Sequence, residues 1–398
     1  MRHFLRALKW ISLTLVAIPL TFYIILVLVN LHDQPPSERV QRNLAQIAES
    51  ERTLAQHLNN NGYIFSLGFN VVKDISPMEE GLKHLEQLQS LSPMKRGNTV
   101  TAVGVELLQF PLSDCLKQED FLLACEAQLA QNDNLETLLA DNLWLIERYQ
   151  QLLSTGNWHD RTTYNVYAYH IPFRKILIAQ KLYLLNIYHQ GDKLQADQIL
   201  QLLNTDMLFW QTVSSNTYQL ITKMSSAYAI ESTMQLGELI VSKAAIRLNN
   251  PMTELPKSWQ HPLPAAVTSF DNAKLGEWNY ANGIYATLFN DESGKPLSVT
   301  EQVLTWLISP LVKPQDMANR YALMLQNQVN MDHCQAGLSL DTVAFFAYNP
   351  LGKMMLCSGI PSLAPYQQRI EKLEALRLSL LGRLEGKMAV TPEVIATK

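Results

Sequence analysis

Residues Ile11 to Val29 form a run of nineteen positions without a charge. A helix rises about 1.5 Å per residue, so the run matches the roughly 30 Å hydrocarbon core of a bilayer and predicts one membrane-spanning helix over residues 10–30. Arg2, Arg6 and Lys9 precede it with no acidic residue among them, whereas Asp33 and Glu38 come before Arg39 on its far side. The positive-inside rule makes residues 1–9 a cytoplasmic head and exports the remainder. Trp10 suits the cytoplasmic interface, and a helix in lipid tolerates a proline such as Pro19. A cleaved signal peptide shares the basic start and apolar stretch, but Leu28-Val29-Asn30-Leu31 offers no small-x-small cleavage site.

An exported body permits disulfides. Cys115 and Cys125 lie ten residues apart and Cys334 and Cys357 twenty-three apart. Of the three connectivities that four cysteines allow, the two local pairs are favoured because each staples a short loop to a neighbouring helix. Buried free thiols are the competing reading. No C-x-x-C or H-E-x-x-H spacing indicates zinc, so no metal or other cofactor is expected. The many asparagines include no N-x-Ser/Thr acceptor, which fits a bacterial periplasm better than a eukaryotic secretory route. The net charge of −4 gives no basic surface for nucleic acid.

With 47% hydrophobic and 17% charged residues, the chain beyond the span is a folded body and not a disordered tail. Val40, Leu44, Ile47, Leu54 and Leu58 mark one stripe of a helix that Pro35-Pro36 separate from the span and Asn59 to Gly62 stop. Ser76-Pro77-Met78-Glu79 reads as a capping box opening a helix through Leu82, Leu85 and Leu88. Asp133 or Asn134 caps a helix that buries Leu135, Leu138, Leu139, Ile146, Tyr149 and Leu153. Further helices are predicted over 174–190, 193–203, 216–248, 300–311 and 314–329, with a closing one through Tyr366, Ile370, Leu373, Leu380 and Leu384. The apolar segment 342–356, with its Asn349-Pro350-Leu351-Gly352 turn, is a place for short strands. The whole reads as all-α: a transmembrane helix, a helical body over 31–250, a proline-rich crossing over 251–264, and a helical part over 265–398 that belongs to the same or a second domain.

Two resemblances sharpen this outline. Between Leu177 and Leu203, Gly191-Asp192 closes one helix and Ala196, Leu200 and Leu203 follow at helical spacing, so the stretch resembles a tetratricopeptide-type hairpin in which a small residue lets two helices approach. No second copy follows at a 34-residue period, and an ordinary α-hairpin inside a globular helical domain is the simpler expectation. The segments 60–69, Lys313-Pro314-Gln315-Asp316-Met317-Ala318-Asn319-Arg320 and Asn349-Pro350-Leu351-Gly352-Lys353, with the single span, resemble a group of uncharacterised proteobacterial single-pass inner-membrane-anchored periplasmic proteins. That resemblance implies an envelope location and assigns no catalytic residue.

Candidate chemistry is sparse. Glu231, in Ala229-Ile230-Glu231-Ser232, resembles the catalytic acid of lytic transglycosylases, which must be held protonated in an apolar cleft. Those enzymes carry their G-L-M-Q segment well downstream, whereas Met234-Gln235 follows here at once. Trp158, His159, Tyr164, Tyr167 and Tyr169 interleave aromatic with polar groups and suit carbohydrate stacking or a protein interface; the competing reading is an anchored structural loop. His159 and Asp160 are neighbours without an evident third metal ligand. Neither Ser66 nor Ser358 sits in G-x-S-x-G, and no phosphate-binding glycine loop indicates a nucleotide. The expected function is therefore a membrane-anchored periplasmic interaction or scaffold protein that contacts lipid through residues 10–30 and holds another envelope protein. The alternative is an envelope hydrolase acting on peptidoglycan or another glycan.

Overall fold

The computed structural model describes residues 2–90, 112, 114–118, 120–131, 134–162, 170–247, 255–289, 298–326, 334, 337, 339–359 and 363–390. Among these the only regular secondary structure is helical. The first helix, α1, runs Arg2–Val29, and within it Lys9–Val29 is long and apolar enough to cross a membrane. Its large apolar side chains from Trp10 to Val29 are mostly exposed, the opposite of a core helix.

Helix α2, Glu38–Gln56, is opened by Ser37, whose hydroxyl accepts the Val40 amide. Val40, Ile47 and Leu54 are buried as the stripe predicts, but Leu44 is exposed and Asn43 and Ser50 take its place on the inner face. The asparagine run stops α2 and starts the next helix: Asn61 Oδ1 accepts the Tyr63 amide at 3.0 Å to cap α3, Gly62–Leu67, all of which is buried. Ser76 opens α4, Pro77–Ser90, by accepting the Glu79 amide at 3.4 Å. α3 and α4 cross so closely that a Cβ on Gly81 would stand 1.8 Å from the Ile64 carbonyl oxygen.

Helices α5 (Phe121–Ala130), α6 (Leu135–Asp141) and α7 (Leu143–Ser154) follow. The single helix expected from Asp133 or Asn134 onwards is thus two, divided at Asn142, whose side chain turns back onto the Leu138 carbonyl. Arg148 of α7 is buried and donates to the carbonyls of Phe69, Val71, Val72 and Lys73, closing the turn after α3. Helices α8 (Phe173–Gln190), α9 (Ala196–Asn216) and α10 (Leu220–Arg247) pack with α7 around the larger core. The hairpin predicted between Leu177 and Leu203 exists, yet α9 runs thirteen residues beyond Leu203 to Asn216. Ala196 begins α9, and both α8 and α9 pack chiefly along α10.

A polar knot lies inside this core. The Asp206 carboxylate accepts from the Tyr149 hydroxyl, from Gln180 Nε2 at 3.0 Å and from Thr233 Oγ1 at 2.5 Å, and Trp210 Nε1 donates to Tyr149 at 2.7 Å. Burial pushes the Asp206 carboxyl up to about 6, with those donors pulling the other way.

Past α10, residues 255–264 of the proline-rich crossing are docked onto the larger core through Leu255, Trp259 and Leu263. This stretch holds α11 (Lys257–Gln260), where Trp259 is fully buried, and leads directly into α12 (Ala265–Thr268). Buried Lys223 pins α12 by donating to the Ser214, Ala266 and Val267 carbonyls at 2.8, 3.2 and 2.7 Å. Helices α13 (Asp271–Thr287), α14 (Val299–Ile308) and α15 (Pro314–Met324) come next. The strands expected over 342–356 are replaced by α16 (Leu340–Ala347) and α17 (Pro350–Gly359), because Asn349 at φ 52° turns the chain and Pro350 opens a new helix. The closing helix α18, Ala364–Val390, buries Ile370, Leu373, Leu380 and Leu384 against the larger core, and from it Arg377 donates to the Trp259 carbonyl at 2.7 Å.

A second, smaller core joins Val40 and Ile47 of α2, Leu275 and Trp278 of α13, Met317, Ala318 and Tyr321 of α15, and Leu356 of α17. It lies at the C-terminal end of α1. Asn30 is 1% exposed and donates to the Ala347 carbonyl at 2.9 Å while accepting the Asn349 amide at 2.6 Å. Asp33 accepts the amides of Gln315 and Asp316 at 2.8 and 3.1 Å, so a residue some 280 positions upstream occupies the anion site at the start of α15. Asn319 in turn accepts the Ser37 amide at 2.9 Å and donates to the Pro35 carbonyl at 3.0 Å. Both cysteine pairs are the local ones, Cys115–Cys125 and Cys334–Cys357, and the latter ties residue 334 to α17.

Candidate interaction site

The extended segment after α7 builds the most developed surface feature. Asn61 holds it by donating to the His159 carbonyl at 2.9 Å and accepting the His159 amide at 3.2 Å. Trp158, 1% exposed, packs edge-on to Tyr63 and Phe209, which seals its ring in the core; as an interaction candidate it is corrected to a structural anchor. His159 is half-buried with its ring 4.4 Å from that of His57, and burial together with this neighbour lowers its pKa. Tyr164, Tyr167 and Tyr169 lie outside the described residues.

Asp160 is a fastener. Fully buried, it accepts from Trp158 Nε1 at 3.2 Å, from the Thr217 hydroxyl and from the Tyr218 amide at 2.9 Å. Burial pushes its carboxyl up to about 6 against the effect of these donors. Its oxygens are taken by these three donors, and no group of three or more metal-ligating side chains occurs among the described residues. The helix expected from Asn216 therefore starts only at Leu220: Thr217 to Gln219 are diverted to Asp160, and the Thr217 hydroxyl accepts the Gln219 amide at 3.1 Å.

The diversion puts Tyr218 between two cavities. One, about 370 Å³, is walled by Leu220, Ile221 and Met224 of α10, Glu277 and Tyr280 of α13, and Tyr366 of α18, with Thr162 and His170 at its edge. Those last two residues bracket the tyrosine-rich stretch. The walls are mainly apolar and aromatic, and burial raises the Glu277 carboxyl above its ordinary value. The other cavity, about 530 Å³, is polar and is lined by Arg39 and Arg42 of α2 and by Asp271, Lys274 and Trp278 of α13, among others. Arg39 Nε is buried there without a hydrogen-bond partner among the described residues. Tyr218 keeps its place because α13 meets it at a glycine: a Cβ on Gly276 would stand 1.7 Å from the Tyr218 carbonyl oxygen.

Glu231 lines neither cavity. It is half-exposed on α10 with Arg369 Nη2 of α18 at 3.9 Å, a surface ion pair and not the apolar cleft that a glycosidic acid requires. Ser66 is buried in α3, and Ser358 Oγ donates back to the Met354 carbonyl at 2.9 Å. Tyr218 meets Gly276 and Glu277 from far away in the chain, and no local pattern marks any of the three. Only the polar cluster Asn216-Thr217 ahead of an apolar run hinted at a break there. No protein-family model, curated protein or solved structure matches the chain.

Proposed function

We propose that this chain is an envelope interaction protein: α1 anchors it in the bacterial inner membrane with residues 1–9 in the cytoplasm, and the helical body works in the periplasm. The observation that carries the reading is the aromatic groove at Tyr218, whose apolar walls and half-buried carboxyl are the features of a recognition pocket for a protein side chain. An apolar or aromatic side chain of the partner enters between Ile221, Tyr280 and Tyr366. A carboxylate nearby in the same segment meets the Arg39 and Arg42 guanidinium groups that line the polar cavity across Tyr218. Membrane confinement raises the effective concentration of both proteins, so modest affinity suffices.

The test is photocrosslinking in intact cells from Ile221 and Tyr167, with the exposed Leu208 as a control surface. A discrete adduct is expected from the first two positions and not from Leu208, and Arg39→Gln should weaken it. Equal labelling from all three positions, or none from the groove in folded and abundant protein, defeats the reading.

A further inference from the structure

None of the residues of α14 is buried, although Val299, Val303, Leu304, Trp306 and Leu307 are large and apolar, with Val299 77% and Trp306 71% exposed. Val299, Val303 and Trp306 recur at helical spacing along one side with Leu307 beside them, and Glu301 and Thr305 lie across the helix. The first turn of α16 likewise exposes Leu340, at 89%, and Val343. Contiguous apolar surface of this kind in a folded protein marks something that covers it.

The position of α14 indicates the cover. The Tyr23 hydroxyl of α1 donates to the Leu307 carbonyl at 3.0 Å. Tyr23 lies seven residues before Asn30, so the last turn of α14 meets α1 roughly 10 Å short of the clasped end of that helix. The last residue of α16, Ala347, is held by Asn30 itself. The C-terminal ends of both helices thus meet α1 or the residue that follows it. An amphipathic helix with its tryptophan on the apolar side is the form that lies in a bilayer interface.

Resting on the anchored reading above, we propose that α14 and the first turn of α16 are embedded in the outer interfacial layer of the bilayer that α1 crosses, forming an apolar collar around the exit of that helix. Lipid is the occupant because the collar continues the lipid-facing surface of α1 and offers its apolar stripe no charge for a protein partner to read. The polar side of α14 faces headgroups and water.

Nitroxide labels on the full-length chain in phosphatidylcholine nanodiscs test this, placed one at a time by Val303→Cys, Trp306→Cys, Ile18→Cys and Lys193→Cys. Labels at positions 303, 306 and 18 should collide several-fold more readily with oxygen than with a water-soluble nickel chelate, and the label at 193 should do the reverse. Water-like values at 303 and 306 beside a lipid-like value at 18 overturn the collar and leave the anchor standing. A water-like value at 18 defeats the anchor and the collar with it. Shielding of 303 and 306 from both reagents, with dipolar broadening between copies, assigns the surface to a second molecule and overturns the proposal.

Discussion

The Asn30 side chain accepts the backbone amide of Asn349 at 2.6 Å, joining residues 319 positions apart. Asn349 also accepts the Lys313 amide at 2.9 Å and donates to the Asp316 carboxylate at 2.7 Å, and Asp33 holds the same helix start. The clasp therefore links the end of α1 to α15, α16 and α17 through buried polar groups, which cost heavily when one partner is removed.

Asn30→Ala should cost about 1–3 kcal/mol, the usual penalty for orphaning a buried hydrogen-bonding group. Asn349→Ala should cost more, because alanine adds strain at φ 52°. Hydrogen exchange should rise over residues 313–320 and 347–353 and stay unchanged at Asp206. Uniform change across the chain would contradict a local clasp.

Gly276→Ala puts a methyl group into the Tyr218 carbonyl. Because the obstacle is backbone, α13 or the Thr217–Gln219 bend must move, at about 1–3 kcal/mol for overpacking. Thermal melting should fall, and crosslinking from Ile221 should fall further than stability alone explains. Wild-type melting in this variant would mean that the helices separate more easily than their packing indicates.

Asp160 and Asp206 are both pushed up to about 6 by burial. Between the ordinary carboxylate range and about 6 the folded chain binds more protons than the unfolded one, so these two groups make stability fall as pH rises through that window and recover on mild acidification. Lys223 works at the other end: burial lowers it to about 8, so its contribution grows as pH rises from there towards the ordinary lysine value. Melting temperatures from pH 5 to 7.5 should show a flatter profile for Asp206→Asn than for the wild type. An unchanged slope would remove Asp206 from the account.

Reducing Cys115–Cys125 and Cys334–Cys357 should each cost about 3 kcal/mol by the chain-entropy rule for loops of this length. Denaturant midpoints with and without reductant, compared with the paired Cys→Ser variants, measure it. Reduction without effect on the wild type would show that the bonds constrain little in the unfolded chain.

Periodicity made the long helices legible. The stripes through Val40, Ile47 and Leu54 and through Ile370, Leu373, Leu380 and Leu384 needed only spacing. Local pairing of the cysteines was legible too, since short loops favour it. What escaped was decided by distant partners. Thr217 breaks a helix because Asp160, 57 residues earlier, claims its hydroxyl. Apolar 342–356 looked extended until Asn349 was seen to turn the chain while holding Asn30 and Asp316. The groove joins residues from 162 to 366, and no window of sequence contains it.

Asp33 at the head of α15 has a mechanical consequence. A flexible tether would leave the body to swivel freely, but here the stalk is keyed into its load at two points, Asn30 and Asp33. Trp278 of α13 donates in turn to the Ala318 carbonyl of α15 at 3.0 Å, so the same hydrogen-bonded series runs from the end of α1 through α15 to α13. Since α13 also forms one wall of the groove, the chain's first helix and its apolar cavity are braced by one continuous polar frame.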